Sequence, residues 1–233
     1  MDLPTAIRWP TDPTEAIRLQ RELAATVVRE DRLGTIRTIA GADIALDATR
    51  EIGIAGILVY EYPTLRVIEQ VTARAPLTFP YIPGLLGFRE GPILFEAMAR
   101  LRTVPDLFLF DGQGIAHPRR CGIATHLGVL LDRPTIGCAK SLLCGSYTEP
   151  APQKGAWSPL INKGETIGAV VRTRDGVRPI FVSLGHRISL PTALDIVLHC
   201  CDGYRIPKPT READRLVARA KHETQDLFSG API

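Results

Sequence analysis

The sequence predicts an α/β fold built on one mixed sheet, in which three antiparallel strands are followed by parallel strands and the sheet is flanked by helices. Two observations support this prediction: three strand-like runs are joined by very short polar turns, and helical and strand patterns then alternate. Turns that short force antiparallel pairing, because a parallel crossover needs about a dozen residues or more. A helix between later strands can return the chain as a parallel partner of the first strand.

The composition is that of an ordinary globular protein. The chain has 233 residues, of which 45% are hydrophobic and 23% are charged, and it contains no repeat or low-complexity segment. We therefore expect one domain over residues 1–233. A chain of this size buries about 70% of the surface that its unfolded form exposes, so it needs neither metal nor disulfide for its core.

Composition also limits the compartment and the partners. No apolar run approaches the roughly 20 residues that a bilayer span needs, so we expect a soluble cytoplasmic monomer without a membrane partner. The net charge of +3 does not by itself indicate nucleic-acid binding, which must then come from local sites. The five cysteines include the adjacent Cys200 and Cys201 and lack zinc-binding spacing, which predicts reduced core thiols in a reducing compartment.

The predicted elements follow in a definite order. Asp12 and Pro13 begin an amphipathic helix that should end near residues 31–34. The expected strands are Thr35–Leu46, Ile52–Tyr60, Arg66–Ala75, Leu107–Phe110, Pro134–Ala139, Glu165–Thr173 and Pro179–Ser183. The later helices are expected near Phe88–Arg102, Cys121–Leu131, Pro191–Cys201 and Thr210–His222, with Pro- and Gly-rich loops at Pro76–Gly87 and Cys144–Pro159. This order is that of the ribonuclease H-like fold, which does not fix the function by itself.

Two aspartates are candidates for a functional site. Asp43 is the single charge in an apolar strand, where an isolated carboxylate costs several kcal/mol unless it is paired, hydrogen-bonded or bound to a cation. Asp111 directly follows a strand, at the end of the sheet where ligands collect. A structural hydrogen bond or a cap would explain either residue alone. If the first and fourth strands are neighbours, however, the two carboxylates converge.

Glu90 and Lys140 extend this candidate site. Glu90 lies where the helix before the fourth strand begins, although the helix dipole alone also favours an acidic residue there. Three carboxylates suggest phosphodiester chemistry with one or two Mg²⁺ ions. Lys140 follows the next strand, and its ammonium group suits charge that develops on a phosphate. A solvated lysine at a strand end is the alternative.

A stiff apolar loop precedes Glu90. Two prolines flank Tyr81 and Ile82 in the segment Phe79–Gly84. Exposed apolar groups on a rigid loop can push between bases, at an unstacking cost of a few kcal/mol. The alternative is a loop that folds back onto the core.

Several basic turns are weaker signals. The segment Asp111–Arg120 passes from a carboxylate through glycines to a basic helix start, which suits phosphate binding. His117 in this segment could assist proton transfer or contact phosphate, or be structural. The segments Gly185–Arg187 and Tyr204–Thr210 are similar basic turns that a solvated loop would also explain. Asp214 lies in the first turn of the last predicted helix and could join the acidic site, although the dipole would explain it as well.

Together these segments resemble the endonuclease V family, the deoxyinosine 3′ endonucleases. The match extends over about residues 35–220, and the length of the segments around Tyr81 and Asp111 makes it specific. The matching stretches are Gly41–Asp43, Pro80–Glu90, Asp111–Arg120, Thr135–Ser141, Asn162–Glu165, Gly185–Arg187, Gly203–Arg205 and Pro209–Arg211.

This resemblance implies a ribonuclease H-like fold and cleavage of the second phosphodiester on the 3′ side of deoxyinosine in DNA. It also implies Mg²⁺ as cofactor, with Mn²⁺ as an expected substitute. The weakness of an inosine pair suits a mechanism that flips the base out of the duplex. The implied metal ligands are Asp43, Asp111 and Glu90, with Asp214 completing the acidic site. The implied contacts to the scissile phosphate come from Lys140 and His117, and the implied DNA-binding residues are Arg89, Arg119 and Arg120. The implied wedge consists of Pro80, Tyr81, Ile82 and Pro83, and the implied lesion pocket of Leu86, Gly112, Gly114 and Ile123.

Three positions depart from the commoner family pattern. Gly87 replaces a frequent serine, Ala116 stands where serine is frequent, and Leu46-Asp47 follows the first strand where an aromatic residue is often seen. None of these changes removes a catalytic group. Two other functions stay open at this point: an endoribonuclease acting on inosine in RNA, and a non-catalytic nucleic-acid binder of the same fold.

Overall fold

Eight strands and five helices are found in the part of the chain that this computed structural model describes, namely residues 3, 7–47 and 49–229. The strands are β1 (Thr38–Asp47), β2 (Ile52–Glu61), β3 (Arg66–Pro76), β4 (Leu107–Phe110), β5 (Thr135–Ala139), β6 (Trp157–Asn162), β7 (Glu165–Val171) and β8 (Ile180–His186). The helices are α1 (Pro13–Ala25), α2 (Leu86–Ala99), α3 (Ile123–Leu131), α4 (Leu190–His199) and α5 (Lys208–Ser229).

The strands form one mixed sheet in the order β3-β2-β1-β4-β5-β8-β7-β6. β1 pairs antiparallel with β2 and parallel with β4, and β4 pairs parallel with β5. The predicted fold class is therefore confirmed, including the helical return of the chain from β3 to the side of β1. The first five strands have the ribonuclease H-like arrangement.

The far side of the sheet contains a strand that the sequence did not reveal. β6 pairs antiparallel with β7 and lies partly within Cys144–Pro159, which was expected to be a loop. Pro159 in the strand and the glycines before it hide the signal, because proline and glycine normally punctuate loops. The structure accommodates Pro159 because β6 is the last strand of the sheet, where one edge needs no hydrogen-bonded partner.

The first helix is shorter than predicted. α1 ends at Ala25, and the N–H of Thr26 donates to the carbonyl of Leu23. The following segment pairs with the end of β8, because the N–H of Arg187 donates to Val28 at 2.7 Å and the N–H of Arg32 donates to Arg187 at 3.1 Å. Backbone pairing with β8 thus replaces the last predicted helical turns.

Helices cover both faces of the sheet. Successive residues of β1 belong to different cores, since Ile39 packs in the core beneath α4 and α5 and Ala40 in the core beneath α2 and α3. A smaller apolar cluster joins α1 to the loop before α2, through Ala16, Phe79, Leu85 and Phe88. The predicted amphipathic helix α1 therefore packs on this loop and also on α3.

Two other expectations can be compared with the structure. All five cysteines are free, and four of them are buried, as expected for core thiols. Among the described residues, no helix combines the length and the apolar character that crossing a bilayer requires.

β1 and α5 approach each other closely at Gly41. A Cβ atom at this position would lie 2.1 Å from the main-chain oxygen of Pro209, at the start of α5. The two groups in contact belong to the main chains of β1 and α5, which cannot move aside independently of their elements. Only glycine therefore fits there. This contact brings the start of α5 against the strand that carries Asp43.

We predict that Gly41→Ala lowers the free energy of unfolding by at least about 2 kcal/mol, because overpacking against backbone forces the elements apart. Urea unfolding followed by circular dichroism measures the change. Gly34→Ala is the matched control, since an added Cβ atom at Gly34 meets nothing within 4 Å. Equal unfolding midpoints for the two variants would contradict the assigned contact.

Candidate active site

Strand register places Asp43 and Asp111 side by side. Ala42 pairs with Phe110 in the parallel ladder between β1 and β4, so each aspartate is the next residue on its strand. The Asp43 carboxylate accepts a 2.8 Å hydrogen bond from the N–H of Ile44. Glu90, in the second turn of α2, is close enough for its charge to interact with both aspartates. The structure thus brings together the three carboxylates that the sequence singled out.

Burial and repulsion between like charges raise the pKa values of Asp43 and Glu90. Burial, and then the charge of Asp111, raises the pKa of Asp43 from 3.8 to about 7. Burial, and then the charge of Asp43, raises the pKa of Glu90 from 4.5 to about 8. Such shifts are typical of carboxylates that share a site, and an added positive charge would lower both pKa values.

Lys140 supplies one positive charge. It follows β5 directly, and its Nζ atom lies 2.5 Å from an Oδ atom of Asp111. Partial burial works against the charged amine, but the contact with Asp111 outweighs it and raises the pKa of Lys140. The ammonium group is therefore charged at neutral pH and stands at the edge of the acidic cluster.

Arg205 fixes the main chain at Lys140. Its guanidinium donates to the carbonyl of Lys140 at 2.8 Å, and to the carbonyls of Arg178 and Pro179 at 2.9 Å each. The segment that begins at Tyr204 was open to interpretation as a solvated loop, but the structure ties it to the strand end that carries Lys140. The sequence showed a basic turn here without revealing its acceptors.

The donor set suits a divalent cation in its chemistry. Carboxylate oxygens are the ligands that Mg²⁺ and similar ions prefer, and the raised pKa values of Asp43 and Glu90 indicate a need for positive charge. Within the described residues, however, no three His, Cys, Asp or Glu side chains are arranged closely enough to hold an ion without adjustment. The residues therefore fit a metal ion by their chemistry, with side-chain rearrangement on binding.

Asp214 lies near the cluster but differs from the other acids. α5 begins at Lys208, so Asp214 is in its second turn, and the first-turn position expected from the sequence is wrong. The residue is exposed, and its charge contributes to the raised pKa values of both Asp43 and Lys140. The helix dipole, which acts mainly in the first turn, does not account for this acid.

A cleft of about 440 Å³ opens beside Asp111 and Lys140. Leu86, Gly112 and Ile123 of the expected lesion pocket line it, together with Tyr81, Ile82 and Pro83 of the expected wedge. Gly114 is not among the residues that line the cleft; its N–H donates to the side chain of Ser183 at 2.8 Å, and an added Cβ atom would be 2.0 Å from the carbonyl oxygen of Leu184. These contacts pack Gly114 closely against β8, and its part in a lesion pocket stays a prediction.

The wedge loop, residues 80–83, projects from the wall of this cleft. The Tyr81 side chain is 69% exposed, whereas Phe79 and Leu85 on either side of the loop are buried. The alternative in which Tyr81 folds back onto the core does not match this arrangement. Leu142 and Leu143 also line the cleft and are about half exposed, although no sequence pattern singled them out.

Three basic residues expected to contact DNA are turned toward the protein instead. Arg89 donates to the carbonyl of Phe79, immediately before the wedge loop. His117 is only 2% exposed; its Nε2 atom is 3.0 Å from the carbonyl oxygen of Gly84, and its Nδ1 atom accepts from the N–H of Arg119. Burial and the charge of Arg119 lower the pKa of His117 to about 4, so the ring is neutral. The assigned contacts of Arg89, His117 and Arg119 with DNA stay predictions.

Arg120 is likewise held within the protein. Its guanidinium pairs with Glu165 at 2.7 Å and donates to the side chain of Asn162 at 3.0 Å and to the carbonyl of His117 at 2.9 Å. This network ties the turn after Gly114 to the hairpin between β6 and β7. It explains why an arginine here is structurally useful without any nucleic acid.

The motif at residues 185–187 lies away from the cleft. His186 is buried, with its Nδ1 atom accepting from the N–H of Val28 at 3.2 Å and its Nε2 atom 3.2 Å from Asp132. Arg187 also pairs with Asp132. The motif thus fastens the end of β8 to the ends of α1 and α3, and the solvated-loop alternative is wrong for His186.

Gly87 has a structural reason to lack a side chain. A Cβ atom there would lie 2.6 Å from the Nδ1 atom of His126, which is fully buried against Phe88 and Trp9. Complete burial lowers the pKa of His126 to about 3. Glycine at this position therefore leaves room for the His126 ring.

Comparison with known proteins gives a consistent result. The family model described as Endonuclease V matches residues 21–215. A curated Endonuclease V from a Nostoc species is 54% identical over 211 residues, which cover 90% of this chain and 96% of that protein. The crystal structure of Endonuclease V from Streptomyces avermitilis is 40% identical, with a TM-score of 0.89 and coverage of 96% of this chain and 98% of that one.

A second similar structure contains nucleic acid. It is Endonuclease V of Ciona intestinalis with a 23mer DNA that carries an inosine followed by a ribo-adenosine. That protein is 30% identical to this chain, with a TM-score of 0.79 and coverage of 91% of this chain and 97% of that one.

The raised pKa values lead to a stability prediction for the metal-free protein. Glu90 binds a proton up to about pH 8 in the folded state but only up to about pH 4.5 in the unfolded chain. The folded state therefore binds more protons in this window, and ionising Glu90 destabilises it as the pH rises. We expect the unfolding free energy of Glu90→Gln, relative to that of wild type, to rise by about 1 to 2 kcal/mol when the pH is raised from 6.5 to 8.

Urea unfolding in EDTA at both pH values gives this difference. Comparing variant with wild type cancels the opposite contribution of the buried neutral histidines, His117 and His126, whose lowered pKa values favour folding as the pH rises. Asp195→Asn, at an exposed position on α4, is the control and should show no pH-dependent difference. If the unfolding free energies of Glu90→Gln and wild type differ by the same amount at both pH values, the assigned burial of the Glu90 carboxylate is refuted.

Proposed function

Because the chain belongs to the endonuclease V family, we propose that it nicks DNA at the second phosphodiester on the 3′ side of deoxyinosine. The family membership makes it an endonuclease of DNA repair, a hydrolase that acts on phosphodiester bonds in nucleic acid and depends on a metal ion. The Ciona relative bound to inosine-containing DNA supports an inosine-directed nuclease. The cleavage position, the 3′-hydroxyl and 5′-phosphate products and the use of Mg²⁺, with Mn²⁺ as substitute, are parts of the proposal.

The observation that carries the proposal is that the acidic cluster and the cleft lie next to each other. Asp43 in the middle of β1 converges with Asp111 directly after β4 and with Glu90 of α2. The cleft beside them is lined by Asp111, Lys140 and Tyr81. A nuclease that acts beside a damaged base needs hydrolytic groups and a place for the base within reach of each other. This arrangement supports both requirements.

The exposed wedge loop provides the first step. Tyr81 enters the duplex and takes the place of the stacked neighbours of the lesion. Opening costs less at inosine than at a normal pair, because the inosine pair is weaker. The flipped base then enters the cleft between Leu86 and Ile123, whose apolar side chains cover its faces.

The acidic cluster provides the second step. Asp43, Asp111 and Glu90 would hold the divalent cation, which would supply the positive charge needed to activate water and to stabilise the leaving oxygen. Lys140 presents its ammonium group to the phosphate, where negative charge develops. Arg205 keeps the main chain of Lys140 in place, so that this group does not have to be positioned during the reaction. His117, neutral and buried, is better suited to holding the loop than to transferring a proton.

Inosine in RNA is the second candidate substrate. The nucleotide that follows inosine in the Ciona complex is a ribo-adenosine, so a ribose on the 3′ side is present in a relative's complex. Recognition of 2′-hydroxyls distinguishes RNA from DNA. The choice between the substrates is therefore part of the test. Action as a monomeric, single-domain enzyme of the cytoplasm stays a prediction.

We expect a duplex with one deoxyinosine to be nicked one nucleotide beyond the lesion's own 3′ phosphate in Mg²⁺ and to stay intact in EDTA. End-labelled substrate mapped to nucleotide resolution gives the position. Asp43→Ala and Asp111→Ala should each abolish the nick yet still bind the lesion in Ca²⁺, because they lose metal ligands and keep the wedge. Cleavage of the matched RNA alone would select the endoribonuclease, and binding without cleavage of either substrate would select the non-catalytic binder.

We expect Tyr81→Ala to weaken binding of the deoxyinosine duplex in Ca²⁺ by about tenfold, since stacking on an aromatic ring contributes about 1 to 3 kcal/mol. Fluorescence anisotropy measures the Kd. Trp157→Ala is the matched control, because Trp157 is an exposed aromatic residue on β6 outside the cleft. Equal affinity of Tyr81→Ala and wild type would remove Tyr81 from the interface.

A further inference from the structure

Gln20 of α1 joins the two walls of the cleft. Its side chain is only 2% exposed, although glutamine is usually a surface residue. The Nε2 group donates to the carbonyls of Gly84 at 3.0 Å and Cys121 at 2.6 Å. Gly84 follows the wedge loop and Cys121 lies opposite, and both line the cleft, as does Gln20 itself.

The carbonyl of Gly84 is the point where these contacts meet. Besides Gln20, the Nη2 group of Arg119 donates to it at 2.7 Å, and the Nε2 atom of His117 is 3.0 Å away. Gly84 has a φ of +81°, a conformation that side chains rarely adopt, so the chain turns sharply at this residue. Three side chains thus fix the position and the direction in which the wedge loop leaves the protein.

Gln20 also orients one of the other two groups. Its Oε1 atom accepts from the Nε group of Arg119, so the amide of Gln20 uses both of its ends. The assignment of these two ends is chemically unambiguous, because the carbonyls of Gly84 and Cys121 can only accept and the guanidinium of Arg119 can only donate. Removing Gln20 therefore loosens both the carbonyl of Gly84 and the guanidinium that binds it.

Apolar packing supports the same loop from below. Ala16, one helical turn before Gln20, is buried together with Phe79, Leu85 and Phe88, and Ile82 of the wedge packs against this cluster. The wedge therefore rests on α1 through apolar contacts and is tied to it through Gln20. Residues 13–20 lie before the segment 21–215 that matches the family model.

From these contacts we infer that Gln20 is a positioning residue for the wedge loop, acting on nucleic acid through Gly84 and Tyr81. The inference rests on the proposed function, in which Tyr81 enters the duplex. Gln20 does not touch the acidic cluster, so it affects how well the lesion is opened and held, and leaves the hydrolytic step unchanged. α1, of which residues 13–20 precede the family match, thereby takes part in recognition of the damaged base.

The test is a double-mutant cycle of Gln20→Met with Tyr81→Ala. Methionine keeps the length of the side chain and removes its hydrogen bonds. Binding of a duplex with one deoxyinosine is measured in Ca²⁺ by anisotropy, and turnover is measured in Mg²⁺ at saturating substrate. We expect Gln20→Met to raise the Kd about tenfold, with kcat within about twofold of wild type. On top of Tyr81→Ala, the same change should add less than about twofold, because its effect passes through Tyr81.

Ser158→Ala is the control for loss of a buried hydrogen bond. Ser158 on β6 donates to the carbonyl of Thr148, away from the cleft, and its removal should leave Kd and kcat unchanged. If Gln20→Met is too unstable to purify, Gln20→Glu provides the same cycle, since a carboxylate cannot donate to Gly84 or Cys121.

Each result decides the inference. An unchanged Kd, a parallel loss of binding and kcat, or a full effect of Gln20→Met in the Tyr81→Ala background would overturn it. Failure of the wild-type protein to bind or cut inosine substrates would instead overturn the proposed function. A 2-aminopurine base beside the lesion gives a second readout: its fluorescence on binding should rise less with Gln20→Met than with wild type.

Discussion

The parallel pairing of β1 with β4 is the constraint on which the site depends. It puts Asp43 and Asp111 at adjacent positions, where burial and repulsion raise the pKa of Asp43. An acidic cluster of this kind needs outside positive charge, and the protein supplies one part of it through Lys140. The cluster needs more positive charge than Lys140 supplies, which makes it suited to a divalent cation. The other elements position this pair: α2 brings Glu90, β5 brings Lys140 and α5 packs tightly on β1.

Positive side chains around the cleft work mainly on the protein's own carbonyl groups. Arg89 binds the carbonyl before the wedge loop, Arg119 binds the one after it, and Arg205 binds the carbonyl of Lys140. Guanidinium groups suit this task because they present several donors in a fixed plane.

Much of the fold and the acidic site was predictable from the sequence, for local reasons. Short turns and apolar runs revealed β1 to β3, and a single charge in an apolar strand revealed Asp43. The sequence could not reveal β6, whose proline resembles a loop signal, nor the acceptors of Arg119 and Arg205. It also missed Gln20, because its importance lies in carbonyl groups that are far away along the chain. Local patterns predict elements, whereas contacts to main-chain atoms of distant segments carry no residue signature.

The wedge loop is anchored through main-chain oxygen atoms at both ends, Phe79 before it and Gly84 after it. Because these acceptors exist whatever the intervening side chains are, the mounting of the loop is separate from the identity of its tip. Tyr81 between these anchors can therefore change without rebuilding the support, whereas Ile82 cannot, because it packs on the apolar cluster of α1. The tip residue and the support of the loop can thus evolve at different rates.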